Sequence, residues 1–205
     1  MTRVPGPTAP PDPTPASILR LALDRPPTLG SGRLVCVDGP AGSGKTTWAT
    51  GIAAVAQVAA GGSRVVHVDD LLADWSGLAA VDAQFDDLLL PLAQGRPGTY
   101  RRYDWEAGRF AEEVVVEPAP LLVLEGVGSA ASRFASLVTL AVWVEAPYDV
   151  RMERGLARDG DAFAPFWEQW ARDEADLFAR ERTRERADVR VDGTGPYPAG
   201  DSVNR

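Results

Sequence analysis

The sequence predicts an α/β fold of three layers, α/β/α, built on a parallel five-stranded sheet. Two observations carry that expectation. Short apolar runs (RLVCV at 33–37, RVVHV at 64–68, LLVL at 121–124, VTLAVWV at 138–144) alternate with stretches of helical periodicity. Strands apolar on both faces are buried on both faces, as in a parallel sheet covered by helices. The first run also ends in a glycine-rich turn that opens directly into a helical stretch, which is how a β-α unit begins.

The elements follow in order. Residues 1–15 are proline-rich with few large apolar side chains, so they are expected to form a disordered tail, and residues 193–205 read the same way. One folded domain is expected over 16–192. ASILRLAL (16–23) reads as a short amphipathic helix and RLVCVDG (33–39) as a buried strand. TTWATGIAAVAQVAA (46–60) is an alanine-rich helix, and RVVHVDD (64–70) a second strand. VDAQFDDLLLPLAQG (81–95) is helical and stops at glycine. PLLVLEG (120–126) and VTLAVWVEA (138–146) are the third and fourth strands. PYDVRMERGLARDG (147–160) is helical, with Pro147 suited to a first turn. Residues 163–187 read as one long amphipathic helix, and DVRVDG (188–193) as the last strand.

Composition narrows the function. The chain has 205 residues and a formal net charge of −8, which disfavours a general nucleic-acid binder. Cys36 is the one cysteine, so no internal disulfide forms; its apolar neighbours point to a buried thiol. No run approaches the ~20 apolar residues of a membrane span, and the N-terminus does not read as a secretion signal. The expected compartment is the cytoplasm, with no membrane partner.

Lys45 is the only lysine, and it lies in GPAGSGKTT (39–47). Gly39, Gly44, Lys45 and Thr46 fit G-x-x-x-x-G-K-[ST] between an expected strand and an expected helix, the context of a phosphate loop in a P-loop NTPase fold. Gly39, Ala41, Gly42, Ser43, Gly44, Lys45, Thr46 and Thr47 are the candidate ATP-binding residues. Their backbone N–H groups and the helix N-terminus suit phosphate oxygens. Lys45 would reach the β- and γ-phosphates, and the Thr46 hydroxyl would bind Mg²⁺. A flexible ammonium follows a moving phosphoryl group better than a rigid guanidinium, a reason for the lone lysine. An N-K-x-D guanine motif is excluded, because it would need a second lysine. A small-molecule kinase remains.

In such a sheet, acidic residues ending the second and third strands project beside the phosphate loop. Asp69 is the candidate acceptor of the substrate hydroxyl proton, and Glu125 a candidate metal contact; a helix-capping role is the alternative for each. Asp70 is divided between capping and substrate contact. Arg151, Arg154 and Arg158 share one helix face before an Asp-Gly-Asp break. They suggest a short lid over ATP, or otherwise a solvated face. TYRRYDWEAGRF (99–110) places Tyr100, Arg102, Tyr103, Asp104 and Trp105 together, either as a substrate-binding segment or as an aromatic core strand.

Over most of residues 33–192 the chain resembles the uridine kinase-like branch of the phosphate-loop nucleoside kinases, near phosphoribulokinase and bacterial pantothenate kinase. GPAGSGKTT is similar to that family's phosphate loop, VDDLL to its D-S-F-Y segment, YDW to its substrate segment, VLEG to its third-strand E-G, and DVRMERGLARD to its arginine helix. The resemblance implies a catalytic aspartate at Asp69, a sugar-hydroxyl ligand at Asp104, a metal-associated glutamate at Glu125, and phosphate-binding arginines at Arg151, Arg154 and Arg158. It implies ATP and Mg²⁺ as cofactors and the 5′-hydroxyl of a nucleoside as acceptor. Leu72 replaces the family's tyrosine, and its E-R-G-R lid segment and later histidine are missing, so pyrimidine contacts do not carry over.

Two rivals remain. One is a cytidylate-type nucleoside monophosphate kinase, for which Arg101 and Arg102 would supply the second phosphate pocket. The other is an ATP-binding regulator without an acceptor. His67, the sole histidine, is expected to be a satisfied core residue. Phe163, Phe166, Trp167, Trp170 and Phe178 are expected in the core or at a homodimer seam, and Arg180, Arg182, Arg184 and Arg186 mostly in exposed pairs with Glu181 and Glu185.

Overall fold

A computed structural model of the protein describes residues 13–160 and 165–195. Five parallel strands, β1 (Arg33–Asp38), β2 (Arg64–His67), β5 (Leu121–Glu125), β6 (Leu140–Glu145) and β7 (Val189–Asp192), form one sheet in the order β2-β5-β1-β6-β7. This is the parallel five-stranded sheet that the apolar runs predict. Alternate residues face opposite sides. Leu34, Cys36, Leu122 and Leu124 join one core cluster, while Val35, Val37, Leu121 and Val123 join the other. Cys36 is buried as expected, and burial pushes its thiol up.

Helices α1 (Pro15–Leu23) and α2 (Lys45–Ala59) cover the second face through Ile18, Leu19, Ala22, Trp48, Ala49 and Ile52. α1 starts at a reciprocal cap. Thr14 Oγ1 accepts from Ser17 N–H at 3.1 Å and Ser17 Oγ accepts from Thr14 N–H at 2.8 Å. The cap brings Thr14 and Pro15 into the folded part, where composition put them in the tail. The first face is covered by α3 (Phe85–Ala93) and α5 (Trp167–Glu181), with Phe85, Leu88, Leu89, Trp170 and Leu177 buried there.

Four elements differ from expectation. The second strand stops at His67, and Val68–Leu71 is a 3₁₀ turn that carries Asp69 and Asp70. α3 begins only at Phe85. Gln84 spends its side chain on the Leu71 and Arg101 carbonyls and the Arg101 N–H, holding the chain out of the helix. The long C-terminal helix is broken at Arg182 (φ 51°, ψ 39°) into α5 and a short α6 (Thr183–Arg186); Arg186 then returns to the Glu181 and Ala130 carbonyls. Pro147 caps α4 (Tyr148–Asp159) rather than entering its first turn.

The expected substrate segment is a β-hairpin outside the main sheet, β3 (Gly98–Asp104) against β4 (Arg109–Val116). Among the described residues no helix is long and apolar enough to cross a membrane. The lid break around Asp161, Phe163 and the tails at 1–12 and 196–205 fall outside the described residues.

Candidate active site

The carboxyl ends of β1, β2 and β5 converge where the chain changes direction in the sheet, the usual place for a ligand crevice in an open parallel sheet. Between β1 and α2 the loop 39–44 wraps a cavity of about 720 Å³. Two glycines are required by this wrapping. A Cβ on Gly39 (φ 142°) would stand 2.1 Å from the Val144 carbonyl oxygen, and one on Gly42 (φ 75°) 2.3 Å from that of Arg151. Gly42, Gly44, Lys45, Thr46 and Thr47 line the cavity, together with Ala41. Lys45 is largely buried and donates to the Pro40 carbonyl at 3.0 Å. Ser43 is fully buried behind the loop and does not line the cavity.

Residues outside the motif hold the loop. Asp38, 1% exposed at the end of β1, accepts N–H bonds from Gly39 (2.7 Å), Gly128 (2.9 Å) and Ala130 (3.0 Å), joining the phosphate loop to the turn after β5. Burial pushes its carboxyl up to about 6, and the three donors and Lys45 oppose a larger rise. Glu174 on α5, 2% exposed, accepts the Ala41 N–H at 2.8 Å and the Arg151 guanidinium at 2.7 Å. Arg151 also donates to the Ala41 carbonyl at 3.2 Å. This corrects the expectation for Arg151: it braces the loop from behind instead of facing the cavity.

Glu125, at the end of β5, meets the first turn of α2. Glu125 Oε1 accepts from Thr46 Oγ1 at 3.2 Å, and Glu125 Oε2 lies 2.7 Å from His67 Nδ1. Burial alone would raise the Glu125 carboxyl, but the His67 bond, Lys45 and Thr46 bring it below its usual value. The His67 imidazole is correspondingly raised, first by its bond to Glu125 and against partial burial. His67 is therefore not a core residue; its side chain is 44% exposed and lines the cavity. Asp69 opens onto the cavity solvent from a recess walled by protein. That recess and the Glu125 charge raise its pKa, while Lys45, Arg158 and His67 pull it down.

Two of the three α4 arginines reach the cavity. Arg154 and Arg158 line it with Gly155, and Arg154 also donates to the Gly193 carbonyl at 2.9 Å. The far wall is aromatic. Trp75, Trp105 and Trp170 line it with Leu72 and Val127; Trp75 stands 4.6 Å from Trp105 and 5.9 Å from Trp170, centroid to centroid. The Trp105 Nε1–H bonds the Asp69 carbonyl at 3.3 Å, tying this wall to the candidate proton acceptor.

Of the expected substrate residues, only Asp70 and Trp105 line the cavity. Asp104 instead accepts the Glu106 and Ala107 N–H groups at 3.0 and 2.9 Å, closing the hairpin turn. Tyr103 packs edge-on to Trp105 and Phe110. Tyr100 is a buried core residue whose hydroxyl reaches Asp70 at 3.5 Å. Arg102 pairs with Asp70 (3.3 Å) and Glu112 (2.6 Å), and Arg101 lies over the Phe110 ring. Trp167 and Trp170 are buried as the core reading expects, whereas Phe166 is exposed and stacks near Trp75 at 6.0 Å. Arg184 pairs with Glu145 rather than Glu185.

The parallel sheet, the phosphate loop and the carboxylates at the strand ends define the chain as a P-loop NTPase fold. Residues 73–162 match the family model described as Phosphoribulokinase / Uridine kinase family, bearing out the resemblance seen in the sequence. That match begins after the phosphate loop and Asp69, so loop and match are separate observations. Among solved structures, a possible uridine kinase from Bacillus stearothermophilus is 20% identical with a TM-score of 0.56, over 78% of this chain and 89% of that one. A candidate fructose transport system kinase from Silicibacter sp. TM1040 is 21% identical with a TM-score of 0.62, over 86% of this chain and 98% of that one. These likenesses concern the fold. No curated protein matches the chain significantly.

Proposed function

We propose that the protein is an ATP-dependent kinase that transfers the γ-phosphoryl group to a hydroxyl of a small metabolite. One observation carries the reading: Lys45, the Thr46–Glu125 pair, Asp69, and Arg154 with Arg158 all line one cavity. The phosphate-loop amides and Lys45 hold the phosphates. The acceptor hydroxyl oxygen attacks the γ-phosphorus, the bond to the β-phosphate oxygen breaks, ADP leaves, and the hydroxyl proton passes to Asp69. Arg154 and Arg158 balance the charge of the transferring group.

Thr46 and Glu125 would hold Mg²⁺. Their oxygens suit the ion, and Mg²⁺ takes most of its ligands from phosphate and water, so it needs no larger cluster of side chains. When bound, it neutralises charge building between the β- and γ-phosphates.

For the acceptor we propose a nucleoside, its planar base against Trp105 and Trp75 and its 5′-hydroxyl toward Asp69. The monophosphate-kinase reading loses support, because Arg101 and Arg102 are engaged outside the cavity. A sugar acceptor is the second reading, since tryptophan faces also stack on sugar rings and the Silicibacter neighbour is a candidate fructose transport system kinase. Incubation with ATP and a panel of nucleosides, hexoses and nucleoside monophosphates, read by product mass, tests all three. Phosphorylated nucleoside supports the proposal, and phosphorylated hexose would replace it. ATP hydrolysis with no phosphorylated product would refute the kinase reading.

A further inference from the structure

His67 was expected in the core, yet it stands in the cavity wall with its imidazole against the candidate metal carboxylate. The contact is built into the sheet. His67 and Glu125 are register partners at the ends of adjacent parallel strands β2 and β5, so their side chains project to the same face. That face is the one covered by α2, whose first turn carries Thr46. The carboxylate is therefore held from both ends, Oε1 by the Thr46 hydroxyl at 3.2 Å and Oε2 by His67 Nδ1 at 2.7 Å. With Glu125 only 7% exposed and His67 44% exposed, the imidazole is the more adjustable partner and the carboxylate the one fixed.

We propose that His67 is a positioning residue for Glu125: by donating Nδ1–H to Oε2 it fixes the carboxylate with Oε1 on the Thr46 side, ready for the Mg²⁺ that accompanies ATP. This rests on the kinase reading above. Partners that orient a metal ligand commonly change metal affinity by 10- to 100-fold when removed. His67 needs only its neutral Nδ1–H tautomer for this, so the role is one of geometry. Asparagine places an amide N–H near the position of Nδ1–H, whereas glutamine reaches toward the position of Nε2 and cannot make the same bond.

The binding measurement uses the 205-residue chain without acceptor. ATP affinity is measured by calorimetry with Mg²⁺ and again in EDTA, and the ratio of the two is compared across wild type, His67→Ala, His67→Asn and His67→Gln. Taking the ratio removes any general loss of nucleotide binding caused by a damaged fold. The expected result is a ratio reduced about 10-fold in His67→Ala and His67→Gln, and restored to within about 3-fold in His67→Asn. In turnover assays His67→Ala and His67→Gln should raise the Mg²⁺ concentration for half-maximal rate, and His67→Asn much less, while the KM for acceptor stays near wild type in all three. A wild-type ratio in His67→Ala overturns the proposal and leaves the kinase reading standing. A raised acceptor KM with an unchanged Mg²⁺ ratio also overturns it, by making His67 an acceptor contact. Absence of any Mg²⁺ enhancement in wild type removes the Mg²⁺-kinase reading and this proposal with it.

Discussion

Replacing Glu174 with glutamine tests how the phosphate loop is held. The carboxylate is 2% exposed and serves two partners, the Ala41 N–H and the Arg151 guanidinium, and the Arg151 side chain is itself only 11% exposed. Glutamine keeps an acceptor for Ala41 but turns an amide N–H toward Arg151, which within this brace keeps its hydrogen bond to the Ala41 carbonyl at 3.2 Å. Removing one member of a buried ion pair typically costs 3–5 kcal/mol, because the other charge stays buried. About 3 kcal/mol is therefore expected in equilibrium urea unfolding, with the slope unchanged. Replacing both, Glu174→Gln with Arg151→Met, buries no lone charge and should recover at least about 1 kcal/mol of that loss. ATP affinity should fall in the single variant, since a loop that must be ordered on binding binds more weakly. A single variant within about 0.5 kcal/mol of wild type would refute the brace.

Further outcomes follow from the same geometry. Asp38 has a folded pKa of about 6, above its unfolded value near 3.8, so the folded state holds the proton more tightly. Its contribution is then most favourable below about pH 4, is lost as pH rises toward 6, and is flat above. Asparagine does not titrate, so the stability of wild type minus Asp38→Asn should fall by roughly 2–3 kcal/mol between pH 4 and pH 7; a pH-independent difference would contradict this. Trp105, 38% exposed on the cavity wall, is expected to matter on the acceptor side of the site and not for ATP. Trp105→Ala should raise acceptor KM about 10-fold, as lost ring contact would, with ATP affinity within about 2-fold in calorimetry.

Much of this architecture was legible from local pattern. Continuous apolar runs pointed to four of the five parallel strands and the short DVRVDG to the fifth, and G-x-x-x-x-G-K-T placed Lys45 and Thr46 at the start of α2. Glu125 was readable because it ends a strand and precedes a glycine. The misses come from pairings distant in sequence or from half-exposed segments. Glu174 meets Ala41 across 133 residues, and no local spacing reports that. Asp104 looked like a ligand because its neighbours are aromatic. Yet Asp104 and Gly108 at φ 63° bracket a three-residue loop and form a hairpin turn, a signal present in YDWEAG. His67 sits in an apolar run, and only the strand register sets it beside Glu125. Asp38 was also findable, as a strand-end acid directly before the loop.

The central claim is that this cavity moves a phosphoryl group to a hydroxyl whose proton Asp69 takes. The direct measurement is acceptor-stimulated ADP release by wild type and by Asp69→Asn, with ATP binding measured on the same preparations. The account predicts a loss of about 10²-fold or more in the stimulated rate, with ATP affinity preserved within about 2-fold. Equal stimulated rates in the two proteins would contradict it.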